Sequence, residues 1–252
     1  MAGTNRKATP VLGGPAVILV RPQMGQNIGA AARAMLNFGL TELRIVAPRD
    51  GWPNPAALAM ASGADRIIEE AKLYDSLEAA LADRNFAVAT SARERELEKR
   101  VMAPGAAAGV LRTRYEAGEA CALIFGPEAA GLTSDEAALA DLLVTIPTNP
   151  AFASLNLGQA VLILGYCWFN ARPTARAILR DTQPPADKAQ LFGLFEHLER
   201  ELDRMGFLHP PEKKPAMIRN LRSLLTRAGF TEQDIRTLRG VIAALMGAKL
   251  KR

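Results

Sequence analysis

The sequence predicts an α/β fold, a mostly parallel sheet flanked by helices, followed by a small all-helical extension. Three observations predict it. Short runs rich in Val, Ile, Leu and Ala alternate with helical patterns through the first two thirds of the chain. Those runs are apolar on both faces, as strands covered by helices on both sides must be. After Arg172 and Pro173 the strand-like runs stop and only helical patterns remain.

Each element follows from its own signals. After a polar lead of about 14 residues, 16–20 (AVILV), 43–46, 86–90, 120–125 and 142–146 read as buried strands. Between them, helices are predicted over 27–38, closed by Gly39, and over 53–62, 76–82, a weaker segment around 105–114, and 135–140. A helix over 157–171 should pack Val161, Leu162, Leu164, Gly165 and Trp168 against something apolar. A polar stretch with Pro184 and Pro185 then leads to a helix over 188–205 and a proline-rich loop, 206–215. Next come a helix over 216–227, capped by Gly229, and one from Thr231, where Thr231 and Asp234 have capping-box spacing. Ile218, Leu221, Leu224 and Leu225 form the stripe expected to hold the extension together, leaving Arg219, Arg222 and Arg227 largely off it. The domains are accordingly read as 14–171 and 172–252.

Composition removes several classes of function. With 252 residues, 49% of them hydrophobic and 23% charged, the chain can bury a real core and is neither disordered nor disulfide-stapled. The longest apolar stretch, 160–169, is too short to span a bilayer. The polar N-terminus lacks the apolar centre of a signal peptide, so a cytoplasmic location is expected. Cys121 and Cys167 sit in apolar runs and read as buried thiols. With only His197 and His209 beside them and no Cys-x-x-Cys, no metal site is expected. The net charge of +5 is unevenly divided: residues 1–171 carry 15 Lys and Arg against 17 Asp and Glu, and residues 172–252 carry 16 against 9. That asymmetry points to a polyanionic partner for the extension, although a solvated helical face can produce it too. Acids and bases interleave over 93–100, which reads as a loop.

Three loops, each leaving the carboxyl end of a predicted strand, could carry chemistry, because that edge of an open α/β sheet is where ligands bind. The first runs from Arg21 into a helix with Asn27 near its start, small residues at Gly29, Ala30, Ala31 and Ala32, and Arg33 two turns on. It lacks the Gly-x-Gly-x-x-Gly of a dinucleotide site, which disfavours a nucleotide-cofactor dehydrogenase. The second runs from Gly126 through Pro127, Glu128 and Gly131; its glycines have P-loop spacing, but Leu132 stands where a phosphate-binding lysine would be needed. The third, Ile146 and Pro147 through Ser154, Leu155 and Asn156, is stiffened by two prolines and leads into an apolar helix. A cap explains one of its polar residues, but it does not explain three such loops.

Asn27, Gly29, Ala32 and Arg33 resemble the first motif of the SPOUT superfamily, in its TrmH/SpoU group of RNA ribose 2′-O-methyltransferases. Ile124 through Leu132 resembles the second, and Ile146 and Pro147 through Ser154, Leu155, Asn156, Gln159 and Ala160 the third. The chain is most similar to the TrmJ type, through Thr90, Ser91, Ala92 and Arg93, the Ser-Leu-Asn form of the third motif, and a helical extension containing Lys214-Pro215 and Leu238-Arg239-Gly240. The resemblance implies a trefoil knot and S-adenosylmethionine bound by Thr90, Ser91, Ala92, Gly126, Ile146, Ser154, Leu155 and Asn156. It also implies a homodimer with the active site at or near the subunit interface, acting on tRNA and not DNA. The expected reaction is 2′-O-methylation of nucleotide 32, cytidine or uridine, in the anticodon loop. Methylation of ribosomal RNA or of another tRNA position is the alternative, and a non-catalytic RNA-binding SPOUT protein is the alternative of another class. Arg33, Asn27, Glu128, Ser154 and Asn156 are the expected catalytic set, and Arg93, Lys213, Lys214, Arg219, Arg222 and Arg227 the expected RNA contacts.

Overall fold

In the computed structural model, which describes residues 9–91, 99–171 and 185–249, seven strands form one parallel sheet. The strands are β1 (Ala16–Val20), β2 (Leu43–Val46), β3 (Lys72–Tyr74), β4 (Phe86–Thr90), β5 (Val101–Met102), β6 (Cys121–Phe125) and β7 (Leu142–Val144), in the order β3-β2-β1-β6-β4-β7-β5. Side chains alternate between two apolar layers, as the period of a strand requires. Val17, Leu19, Val88, Leu123 and Phe125 enter one layer, and Ile18, Val20, Ala87, Ala89, Ala122 and Ile124 the other.

The first layer is covered by α1 (Gly25–Asn37), α2 (Pro55–Ala61), α3 (Asp65–Glu69), α5 (Pro104–Glu116) and α7 (Leu157–Asn170), and the second by α4 (Leu77–Leu81) and α6 (Ser134–Ala138). α1 and α2 meet backbone to backbone: a Cβ on Gly29 would lie 2.2 Å from the Ala57 carbonyl oxygen, so only glycine fits there. α7 buries Val161, Leu164, Gly165 and Trp168 as predicted, but Leu162 is exposed. No described helix is long and apolar enough to cross a membrane.

The expected inner strands appear with ends shifted by at most two residues, whereas β3, β5 and α3 were not predicted. β3 and β5 are the sheet's two edges, and Lys72, Leu73 and Val101 are exposed, so neither presents a doubly apolar run. Behind the sheet's second layer lie α8 (Lys188–Arg204), α9 (Lys214–Thr226) and α10 (Glu232–Lys249). The stripe predicted to hold the extension together does not do so: Leu224 is exposed, and Ile218 and Leu221 are only half-buried. Its core comes mainly from Leu191, Leu194 and Phe195 of α8 and Ile235 of α10, with Leu225 of α9 packed against them. The Thr231–Asp234 capping pair is present, each residue's side chain accepting from the other's backbone N–H.

Candidate active site

β4 pairs in parallel with both β6 and β7, so the carboxyl tips of all three lie side by side. The loops leaving them enclose a cavity of about 350 Å³. Thr90 and Ser91 line it from β4; Phe125, Gly126, Pro127 and Glu128 from β6; Val144, Ile146, Ser154 and Leu155 from β7 and its loop; Leu157 and Ala160 from α7. Of the residues expected to bind cofactor, Thr90, Ser91, Gly126, Ile146, Ser154 and Leu155 meet here, and Ala92 lies outside the described residues. Asn156 does not line the cavity. Gly126 is required by its own turn, since a Cβ there would lie 2.3 Å from the Leu132 amide nitrogen.

The three motifs are joined by one hydrogen-bonded chain. Asn27 Nδ2 donates to Glu128 Oε1 at 2.7 Å, and the Gln23 amide donates to Glu128 Oε2 at 2.9 Å. Asn156 Nδ2 donates to Asn27 Oδ1 at 2.8 Å, while Asn156 Oδ1 accepts from the Gly158 and Gln159 amides and so caps α7. Glu128 is thus an acceptor with both oxygens engaged, held against the cavity by residues 101 and 105 positions earlier in the chain.

A second brace supports the same loop. Arg21, just past β1 and at a positive φ of 45°, makes a two-pronged ion pair with Glu136. Glu136 also completes a capping box with Thr133. Burial pushes the Glu136 carboxyl up, but hydrogen bonds from Arg21 and Thr133 outweigh it and hold the group below its ordinary value.

Arg33 lies on α1, one turn beyond Ala30, the residue Gly158 packs against. It is exposed, does not line the cavity, and makes no hydrogen bond or ion pair among the described residues. Ile146 and Leu155, which do line it, have backbone amides with no hydrogen-bond partner among the described residues. Largely apolar walls suit a flat heterocycle, and 350 Å³ suits a nucleoside-sized ligand. S-adenosylmethionine fits a cavity of that size and lining, and the residues of the three loops are those that would hold it.

The expected RNA contacts differ in how they are paired. Lys213 is exposed and unpaired among the described residues, and Arg227 is exposed. Lys214 pairs with Asp203 at 2.8 Å, and Arg219 with Asp135 at 3.4 Å. Arg222 is half-buried, makes two hydrogen bonds to Glu199, and lies 5.8 Å from the Phe195 ring. Arg93 lies outside the described residues. The sequence reading missed Gln23, whose contribution is a backbone amide and leaves no side-chain signal.

Residues 14–166 match the SpoU rRNA Methylase family, and residues 189–252 match the C-terminal domain of the tRNA methyltransferase TrmJ. The tRNA (cytidine/uridine/adenosine-2′-O-)-methyltransferase TrmJ of Pseudomonas aeruginosa strain UCBPP-PA14 is 37% identical over 238 residues, covering 90% of this chain and 91% of that protein. The tRNA (cytidine/uridine-2′-O-)-methyltransferase TrmJ of Pectobacterium atrosepticum is 36% identical, covering 91% and 95%. The crystal structure of TrmJ from Z. mobilis ZM4 superposes with a TM-score of 0.85 at 46% identity, over 93% of this chain and all of that one. The three motif segments, tied together by Asn27, Glu128 and Asn156 beside this cavity, are thus accompanied by similarity along nearly the whole chain, and the chain belongs to the SpoU methylase family, with a TrmJ-type C-terminal domain following the catalytic one.

Proposed function

We propose that the chain methylates the 2′-hydroxyl of a tRNA ribose, at nucleotide 32 of the anticodon loop, in the cytoplasm. The observation that carries this reading is the Asn156–Asn27–Glu128 chain, which joins all three motif loops at the edge of one nucleoside-sized cavity. The names of the full-length relatives support tRNA and the 2′-O position. Residues 14–171 serve as the catalytic domain, knotted through the loops of the cavity, and 172–252 as the docking domain.

S-adenosylmethionine supplies, when bound, a methyl group already activated on a sulfonium. What remains for the protein is to align the 2′-oxygen, stabilise its developing charge and let one proton leave. A guanidinium stays protonated and is a poor base. Arg33, exposed and unpaired among the described residues, therefore binds the target phosphate and stabilises the developing alkoxide, while that phosphate or a water takes the proton. Glu128, Asn27, Ser154 and Asn156 orient the nucleotide.

The protein works as a homodimer in this reading. Leu162, Tyr166 and Phe169 of α7, with Leu36 of α1, form an exposed apolar face that a second copy would cover. Incubating the protein with unmodified tRNA transcripts and S-adenosylmethionine, then mapping methylated nucleosides, tests the reaction. A 2′-O-methyl group at nucleotide 32 is expected; one confined to another position or to ribosomal RNA would replace the assignment, and no methylation of any RNA would overturn it.

A further inference from the structure

Lys99 precedes the edge strand β5 and is 8% exposed. Its amine donates to the carbonyl oxygens of Ala138, at 2.8 Å, and Ala140, and reaches Thr226 Oγ1 at 2.8 Å. Ala138 ends α6, which begins just after the cavity residues Gly131 and Leu132. Ala140 leads through Asp141 into β7, whose last residue, Val144, lines the cavity. Thr226 is the last residue of α9, is itself buried, and bonds back to the Arg222 and Ser223 carbonyls. One amine therefore holds the far ends of two elements adjoining the cavity against the extension.

A neighbouring pair repeats the arrangement. Lys188, the first residue of α8 and 1% exposed, donates to Asp141 Oδ1 at 2.7 Å, while Asp141 Oδ2 accepts from the Ala87 amide of β4 at 2.7 Å. β4 and β7, which lead into two walls of the cavity, and α6, which follows a third, are all bonded away from the cavity to groups the extension supplies or contacts. An apolar side chain would join these surfaces without stripping water from an ammonium. What the ammonium adds is direction, because three acceptors fix α6, the turn after it and α9 relative to one another.

We propose that Lys99 is a positioning residue through which the helical extension holds the cofactor cavity in its binding shape. This rests on the reading of that cavity as the S-adenosylmethionine site, and it gives the extension a role in cofactor binding beyond any contact with tRNA. Burial, with the charges of Lys188 and Arg227 adding and that of Asp141 opposing, pushes the Lys99 amine down to about 7. The third N–H is consequently lost as pH rises above neutrality.

The test is calorimetry of S-adenosylhomocysteine with the full chain and no RNA. Lys99→Met, which keeps length and loses donors, is expected to weaken binding about tenfold, within the range of ordinary coupling between sites. Thr226→Val, which removes only the extension's side of the contact, should weaken it about threefold, and Lys99→Arg should restore most of the affinity. Wild-type affinity should fall about threefold between pH 6.5 and 8.5 relative to Lys99→Arg. Unchanged affinity in folded Lys99→Met would overturn the proposal. If that variant does not fold, unchanged affinity in Thr226→Val does so instead. The cavity reading fails separately, and visibly, if the wild type binds no S-adenosylhomocysteine at all.

Discussion

At the amino-terminal edge of the sheet Arg44 is 1% exposed, and its guanidinium donates to Glu42, to both oxygens of Asp83 and to the Ala80 carbonyl. At the carboxyl-terminal edge Arg33 is exposed, and neither it nor the amides of the cavity residues Ile146 and Leu155 have a partner among the described residues. Both residues are arginines in the same domain, yet one is saturated and the other is unspent. Buried charge is tolerable only when its hydration is replaced, so the first edge satisfies its ions internally. A donor left in water costs little until a ligand takes it, which is how a rigid scaffold carries function at its loops. Glu128 lies between these extremes, fully bonded yet lining the cavity.

The largest effect should come from breaking the unspent side. Arg33→Ala is expected to lower single-turnover methyl transfer by about a thousandfold, the upper range for removing one donor to developing oxyanion charge. Affinity for S-adenosylhomocysteine should stay within about twofold, because Arg33 does not line the cavity. Arg33→Lys should recover little, since an ammonium cannot give a two-pronged clamp on phosphate. Retained turnover in Arg33→Ala would remove the residue from the site.

Arg44→Met breaks the saturated side. Glu42 and Asp83 keep 29% and 58% of their side-chain surface and can return to water, so the cost should be about 2 to 3 kcal/mol. That is less than the loss for a fully enclosed pair. Turnover per folded molecule should not change. The hydrogen bonds from Arg44 and then Arg84 hold the Asp83 carboxyl well below the usual carboxylate range. A carboxylate with a depressed folded-state pKa contributes stability above its unfolded value, near 3.9, and loses it as pH falls. Denaturant midpoints of wild type and Arg44→Met should therefore differ at pH 7 and converge in acid. A gap that persists undiminished at low pH would mean that packing, and not the ion network, supplies the difference.

What could be read from the sequence follows the same division. The inner strands announce themselves as apolar runs because both faces are buried, whereas Lys72–Tyr74 and Val101–Met102 are edges and carry no such pattern. The three motif loops were legible because strand-to-helix turns carry glycine, proline and small polar residues at fixed spacing. The hydrogen bonds that tie them were not: Asn27 and Glu128 stand 101 positions apart, and nothing local marks one as the other's partner. Lys99 sits in the interleaved run of acids and bases at 93–100, which reads as solvated loop, yet its amine is buried. Leu224 fails in the other direction, as a member of a helical stripe whose outer part the fold leaves exposed.

The smallest effect separates spent from unspent charge inside the extension itself. Lys213 and Arg222 sit nine positions apart, but Lys213 is exposed and unpaired among the described residues while Arg222 is taken up by Glu199 and lies over Phe195. Removing one cation that neutralises a phosphate should reduce the slope of log affinity against log salt by about 0.7 to 0.9. Lys213→Ala should therefore weaken tRNA binding modestly and flatten the salt dependence by about that amount. Arg222→Met should leave the slope unchanged and register instead as reduced stability, because its charge has already been answered within the protein. If Arg222→Met flattened the slope as much as Lys213→Ala, the Arg222–Glu199 pair would have to open when RNA docks, and the half-buried arginine would count among the groups held in reserve for the ligand.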